Sequence, residues 1–160
     1  MKTLLIVWHS RTGGAQAMAE AAASAASEIS VRMLSAAETT PSDILAADGY
    51  IFAAPENLAT LSGPMKDFFD RCYYPVLDRI AGRRYAAMIC AGSDGTGALR
   101  QLTRITTGWR LRQIAEPIII ITHAQTPEAI TAPKTIAPAD LARCAGLGAA
   151  FAAGLAAGIF

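Results

Sequence analysis

Residues 3–19 read TLLIVWHSRTGGAQAMA, and the change of character inside this stretch decides the fold. TLLIVW (3–8) is a short, continuous apolar run, the pattern of a strand buried on both faces. HSRTGG (9–14) then places a histidine, an arginine, two hydroxyls and two glycines in six positions. Residues 14–27 follow with Met18, Ala21, Ala22 and Ala25 at helical spacing. A helix start leaves consecutive backbone N–H groups without partners, and its dipole adds partial positive charge. His9, Ser10, Arg11, Thr12, Gly13 and Gly14, with Ala15 and Gln16 behind them, therefore compose an anion cradle. Glycine lets the backbone approach an anion closely, and Ser10 and Thr12 carry hydroxyl donors. The stretch has neither Gly-x-x-x-x-Gly-Lys-Ser/Thr nor Gly-x-Gly-x-x-Gly, so a phosphomonoester suits it better than a triphosphate with magnesium. The competing reading of the same six residues is a polar turn whose Ser and Thr cap the helix.

The alternation continues along the chain. SVRML (30–34) reads as a second strand, PSDILAA (41–47) as a short helix and GYIFAA (49–54) as a third apolar run. In LSGPMKDFFDRCYYP (61–75), Ser62 is placed as N-cap and Pro64 lies in the first turn. Met65, Phe68, Phe69 and Cys72 share one face, and Pro75 is expected to stop the helix. YAAMICA (85–91) is a fourth strand, GALRQLTRITTGW (97–109) a helix and PIIIIT (117–122) a fifth strand. Residues 138–157 form the last helix, with Leu141, Ala145, Gly148, Ala152 and Leu155 facing inward. Five strand–helix alternations without a repeat or a domain-sized linker predict one α/β domain over residues 1–160. Its parallel sheet is covered by helices on both sides and takes the five-stranded order 2-1-3-4-5. In such a sheet ligands bind at the carboxyl edge, so the loops after strands one, three, four and five are the ones that matter.

Composition narrows the function classes. The chain has 160 residues, 52% hydrophobic and 17% charged, and its formal net charge is +1 with Arg and Lys scattered. Nothing in that pattern asks for nucleic acid or a membrane surface. Cys72, Cys90 and Cys144 form no CxxC pair and no metal spacing with His9 or His123. They read as apolar fillers in a reducing compartment. No small-residue cleavage site follows the N-terminal run. CAGLGAAFAAGLAAGIF (144–160) is Ala- and Gly-rich and weakly hydrophobic for a membrane span, so a helix laid closely on the sheet is expected, in a cytoplasmic protein.

SRTGGAQAMA (10–19) resembles the phosphate loop of flavodoxins and flavodoxin-like FMN oxidoreductases, Ser-x-Thr-Gly-x-Thr. Ser10, Thr12 and Gly13 match, Ala19 matches the helix alanine, and Ala15 stands where the family usually carries Thr. PENLATLSGPMKDFFDR (55–71) is similar to the segment of NAD(P)H-dependent FMN reductases and related quinone reductases that reads Pro-x-Tyr/Asn, then Ser/Gly-x-x-Lys-x-x-x-Asp. Pro55, Gly63, Lys66 and Asp70 fit it. The resemblance implies a three-layer flavodoxin-like fold with FMN as cofactor and NAD(P)H as reductant. It implies contacts to the flavin ring from Pro55, Glu56, Asn57, Leu58 and Ala59, and to its pyrimidine edge from Gly92, Ser93, Asp94 and Gly95 in CAGSDGTGA (90–98). It also implies a small-molecule electron donor and acceptor, and a homodimer as the assembly to test. Lys66 and Asp70 equally read as an i,i+4 surface pair.

Two related folds are excluded by their own requirements. Receiver domains need acidic residues after strand one, where this chain has His9 and Ser10, and low-molecular-weight phosphatases need Cys-x5-Arg in the first loop. The resemblance then implies an oxidoreductase passing electrons from NAD(P)H through FMN to a quinone or free flavin. The alternative is a flavodoxin-type carrier without NAD(P)H activity of its own. Carriers of that family are usually strongly acidic and sandwich the flavin between aromatic side chains. This chain is near neutral and has no aromatic residue in 55–62 or 91–97, which leaves one ring face open to a second substrate. No catalytic triad is expected, because the cofactor carries the chemistry. Arg11 or His9 is placed either to attract a dinucleotide phosphate or simply as a solvated loop residue. A third reading, a flavodoxin-like protein that has lost tight flavin binding, rests on Ala15.

Overall fold

The computed structural model describes every residue, Met1–Phe160. Its first strand, β1 (Thr3–Trp8), has Leu4, Leu5, Ile6 and Val7 fully buried in succession. Successive side chains of a strand point to opposite faces, so this one segment belongs to both apolar layers. Leu5 and Val7 join a cluster of 23 buried residues, and Leu4 and Ile6 join a second cluster of 18 on the other face. That is the packing reason for the unbroken apolar run.

The remaining elements are α1 (Gly14–Ala25), β2 (Ser30–Ser35), α2 (Pro41–Ala46), β3 (Gly49–Asn57), β4 (Thr60–Leu61) and α3 (Gly63–Val76). They are followed by β5 (Arg84–Ala91), α4 (Thr96–Gly108), β6 (Arg112–Gln113), β7 (Ile118–Ile121), α5 (Pro127–Thr131) and α6 (Pro138–Ala156). The sheet runs β2-β1-β3-β5-β6, with β4 paired to β3 and β7 paired to β5. All pairings are parallel except the β3–β4 hairpin. The expected count of five strands is thus corrected to seven. β4 exists because the chain reverses at Leu58–Ala59 and pairs Glu56 with Leu61 and Asn57 with Thr60. β6 and β7 lie along the same edge of β5, at Arg84–Tyr85 and at Met88–Ala91, with Pro117, which has no N–H to give the ladder, between them. Two-residue pairings are too short to leave an apolar period in the sequence.

The two faces of the sheet are filled differently. On the α3/α4 side Phe52 contacts Tyr50, Phe68, Phe69 and Tyr85, and Trp109 packs on both Phe68 and Phe69. Aromatic side chains bury the most area per residue, and paired rings add about 0.5–1.5 kcal/mol each. The α1/α6 side is built from small residues. A Cβ on Gly148 would overlap the carbonyl oxygen of Ala22, so α6 lies directly on α1. Helix α6 is long and apolar enough, by length and composition, to cross a membrane. Its buried stripe of Cys144, Leu147, Gly148, Phe151, Ala152, Gly154 and Leu155 is however packed against α1 and the sheet.

Pro75 does not stop α3 but lies inside its last turn. The helix continues to Val76 and closes with the Leu77 N–H donating to Tyr74 O at 3.3 Å. So close to the end, the missing N–H removes little. Ser62 occupies the N-cap position, yet its hydroxyl does not cap the helix; it pairs with His9 instead.

Candidate functional site

Four segments converge at the carboxyl edge of the sheet: the β1–α1 loop, the β3–β4 hairpin, the β5–α4 loop and the stretch between β7 and α6. They enclose a cavity of about 830 Å³, lined by Arg11, Thr12, Glu56, Asn57, Leu58, Ala59, Gly92, Ser93, Ala124, Gln125, Ile130 and Thr131. This is within the size range of small-molecule and cofactor pockets. A smaller recess of about 90 Å³ continues inward past Pro55, Cys90, Thr122 and Lys134.

The β1–α1 loop has the cradle geometry. Gly13 is in the left-handed region at φ 96° and serves as the N-cap of α1 without a side chain of its own. The Ser10 hydroxyl accepts a hydrogen bond from the Gly13 N–H at 2.9 Å, so it braces the loop from within. The N–H groups of Gly14, Ala15 and Gln16 open the helix and have no intrahelical partner. The first turn carries no acidic residue to neutralise its positive end. Gly14 is needed for space, since a Cβ there would sit 2.6 Å from Cys90 Sγ.

The electrostatics of this loop are positive. The His9 ring nitrogen Nδ1 and the Ser62 hydroxyl share a hydrogen bond of 2.8 Å. Burial lowers the His9 pKa below its ordinary value, and the Arg11 guanidinium lowers it further. Arg11 itself is exposed on the rim of the cavity. Burial raises the pKa of the Cys90 thiol, only partly countered by the positive charge of Lys134.

The β3–β4 hairpin turns through two non-glycine residues in the left-handed region, Leu58 at φ 50° and Ala59 at φ 63°. Two-residue hairpins favour φ > 0 at both central positions, but L-residues adopt it at a cost of roughly 1–2 kcal/mol each. The strain is held by contacts to α4. The Leu61 N–H donates to Gln101 Oε1 at 2.7 Å, and the bare Cα of Gly97 admits the carbonyl oxygen of Ala59. Leu58 emerges 99% exposed on the rim of the cavity.

Of the residues expected from sequence, Arg11, Thr12, Glu56, Asn57, Leu58, Ala59, Gly92 and Ser93 meet at the main cavity, and Pro55 lines the recess. Others are placed around it with different contacts. Gln16 donates to Glu20 at 2.9 Å along α1, and Ala15 is buried beneath the loop. Asp94 accepts the Thr96 hydroxyl at 2.7 Å, and the Gly95 N–H is taken by Glu56. Lys66 and Asp70 form the i,i+4 surface pair, 2.7 Å apart.

The fourth wall is the loop after strand five, expected to border the site but with none of its residues singled out from the sequence. Residues 122–137 connect β7 to α6 and carry α5, with Thr126 capping it and Pro127 in its first turn. The Lys134 N–H donates to Thr12 O at 2.8 Å, which ties this segment to the cradle. Lys134 Nζ donates to the carbonyls of Ala129, Ile130 and Ala132, closing the end of α5. Gln125 Nε2 reaches Gly92 O at 3.4 Å. The sequence signal available was the Thr-Pro-Glu helix start at 126–128, together with a connection unusually long for an α/β unit.

Comparison with known proteins agrees with this geometry. Residues 36–126 match the family described as NADPH-dependent FMN reductase. A flavodoxin of Aquifex aeolicus (strain VF5) is 33% identical over 100 residues, covering 61% of this chain and 54% of that protein. The match thus spans about half the length of that curated relative. Among solved structures, the flavodoxin, WrbA-like protein from Agrobacterium tumefaciens superposes with a TM-score of 0.76 at 18% identity, covering 98% of each chain. The rubredoxin oxygen:oxidoreductase of Desulfovibrio gigas gives a TM-score of 0.77 at 15% identity, over 98% of this chain and 37% of that one. At such identities the likeness is one of fold.

Proposed function

Because the chain belongs to the NADPH-dependent FMN reductase family, within the flavodoxin-like proteins, we propose that it binds FMN and passes electrons from NAD(P)H to a small acceptor such as a quinone or free flavin. The observation that carries this reading is the four-walled cavity, with the open N-terminus of α1 beside it and no aromatic side chain among its lining residues. The residues present fit the cofactor. Thr12 and the N–H groups of Gly14, Ala15 and Gln16 would hold the phosphate, with Arg11 supplying positive charge at the rim. Asn57 and the backbone of Gly92 and Ser93 would hold the ring, beside the aliphatic Leu58 and Ile130.

Bound FMN would supply the redox chemistry, taking up hydride and delivering electrons onward. The protein's share is binding, orientation and access. The hairpin and α5 both line the cavity, and its volume of about 830 Å³ without an aromatic lid leaves room for a second planar molecule to enter in turn. The net charge of +1 suits small-molecule partners better than the charge-steered docking of a strongly acidic electron carrier.

The test is direct. The purified protein should be yellow, or become so on titration with FMN, and should release FMN on denaturation. Under anaerobic conditions NADH or NADPH should bleach the bound flavin, and a quinone should restore its colour. A protein that acquires no flavin spectrum at any FMN concentration defeats the proposal. Flavin that binds but resists NAD(P)H while accepting electrons from a protein reductase identifies a carrier instead.

A further inference from the structure

Glu56 was expected at the ring, yet its carboxylate makes two long-range contacts within the protein. Oε1 accepts the Gly95 N–H at 2.8 Å and Oε2 accepts the Ala98 N–H at 3.0 Å, across 39 and 42 residues. The N-cap of α4 is Gly95, left-handed at φ 86° and without a side chain, so a residue from β3 performs the capping that the helix cannot do for itself. Two further contacts join the same elements: Leu61 N–H to Gln101 Oε1, and Ala59 O packed on the bare Cα of Gly97. No lysine or arginine lies within ion-pairing distance of Glu56; the ion pairs of the molecule are elsewhere. Glu56 also lines the cavity, together with Asn57, Gly92 and Ser93.

We infer that Glu56 is a positioning residue with an electrostatic role: it locks two walls of the cavity together and holds an unneutralised carboxylate at the N-terminus of α4, opposing negative charge on a reduced flavin bound beside it. The first half rests on geometry alone, whereas the second rests on the FMN reading above. Without the carboxylate, the positive end of α4 and two free N–H groups would face the site and favour the electron-rich form of the cofactor. With it, that helix end is offset, and the bound flavin is kept ready to give electrons away.

The experiment uses the full chain and Glu56→Gln, which keeps one acceptor oxygen but removes the charge. Backbone amide exchange at Gly95 and Ala98 is followed by NMR without flavin, and the midpoint potential of bound FMN by spectroelectrochemical titration. The expected result is exchange at least about tenfold faster at one or both of these amides and a potential shifted upward. If either quantity stays at its wild-type value the inference falls. A wild-type protein that takes up no FMN defeats the functional reading instead, and the exchange measurement then decides the lock by itself. Should Glu56→Gln not fold, Glu56→Asp serves: it retains the charge but is too short to reach both amides. It should raise exchange while leaving the potential in place, and a potential shifted upward in this variant overturns the electrostatic role.

Discussion

Helices α1 and α4 both begin at the same sheet edge, and both are capped by a glycine in the left-handed region, Gly13 at φ 96° and Gly95 at φ 86°. Their ends are nevertheless completed in opposite ways. The start of α1 has no acidic side chain and keeps three N–H groups open beside Arg11. The start of α4 is filled by the Glu56 carboxylate from a neighbouring strand. A helix N-terminus is therefore an anion site only where the protein has not already supplied the anion. Identical backbone geometry gives an open cradle in one place and a structural joint in the other.

The comparison breaks most severely if the open helix is made to resemble the filled one. Thr12→Glu places a carboxylate at the cradle without disturbing the backbone, since Thr12 contributes its carbonyl oxygen to the Lys134 N–H. A hydrogen bond to a charged group is worth about 1.5–3 kcal/mol, and each 1.4 kcal/mol is tenfold in affinity. Loss of the hydroxyl plus like-charge repulsion should weaken FMN binding by about 100-fold or more, read by fluorescence titration. Thr12→Val, which loses only the hydroxyl, should cost about tenfold. Equal, small effects would place the phosphate away from α1.

A second pair of substitutions separates conformation from packing. Gly13→Ala and Gly95→Ala impose the same left-handed penalty of roughly 1–2 kcal/mol. Around Gly13 there is nothing within 4 Å of a new Cβ, whereas at Gly95 the Cβ would lie 2.6 Å from Ile119 Cγ2. Overpacking adds about 1–3 kcal/mol. Urea unfolding should therefore show Gly95→Ala about 2–5 kcal/mol less stable than wild type and Gly13→Ala only about 1–2 kcal/mol. A reversal of that order would mean the cradle, not the joint, is the tightly packed end.

The same contrast sets what the sequence could reveal. The open helix was legible because everything it needs is contiguous: an apolar strand, a polar loop with glycines, and an alanine-rich helix within residues 3–19. The filled helix was not, because the partners Glu56 and Ala98 lie 42 residues apart and only the β3–β5 pairing brings them together. For that reason Glu56 reads as a ring contact, and Gly95 as a contact to the pyrimidine edge. β4 and β6 escaped notice for a different reason, as two-residue ladders set by their neighbours and not by their own pattern. The fourth wall, Ala124 to Thr131, is polar, short-helical and unremarkable in composition. Long-range hydrogen bonds, from the Lys134 N–H to the Thr12 carbonyl and from Gln125 Nε2 to the Gly92 carbonyl, join it to the site.

The smallest effect concerns the field around the open helix. His9 is half-buried against Ser62, and burial together with the nearby positive charge of Arg11 lowers its pKa in the folded protein. The unfolded chain then binds more protons than the folded one as pH falls through the ordinary histidine range near about 6.5. Unfolding free energy must rise with pH across that window, so the protein loses stability on acidification until the folded-state histidine also titrates. His9→Asn removes that share of the slope while keeping a hydrogen-bonding side chain towards Ser62, and Arg11→Gln should shrink it by withdrawing the secondary cause. Urea unfolding of the three proteins between pH 5 and pH 8, the range in which histidine charge changes, checks both. If His9→Asn keeps the full wild-type slope, His9 is not held neutral and the positive field assigned to the start of α1 does not reach it.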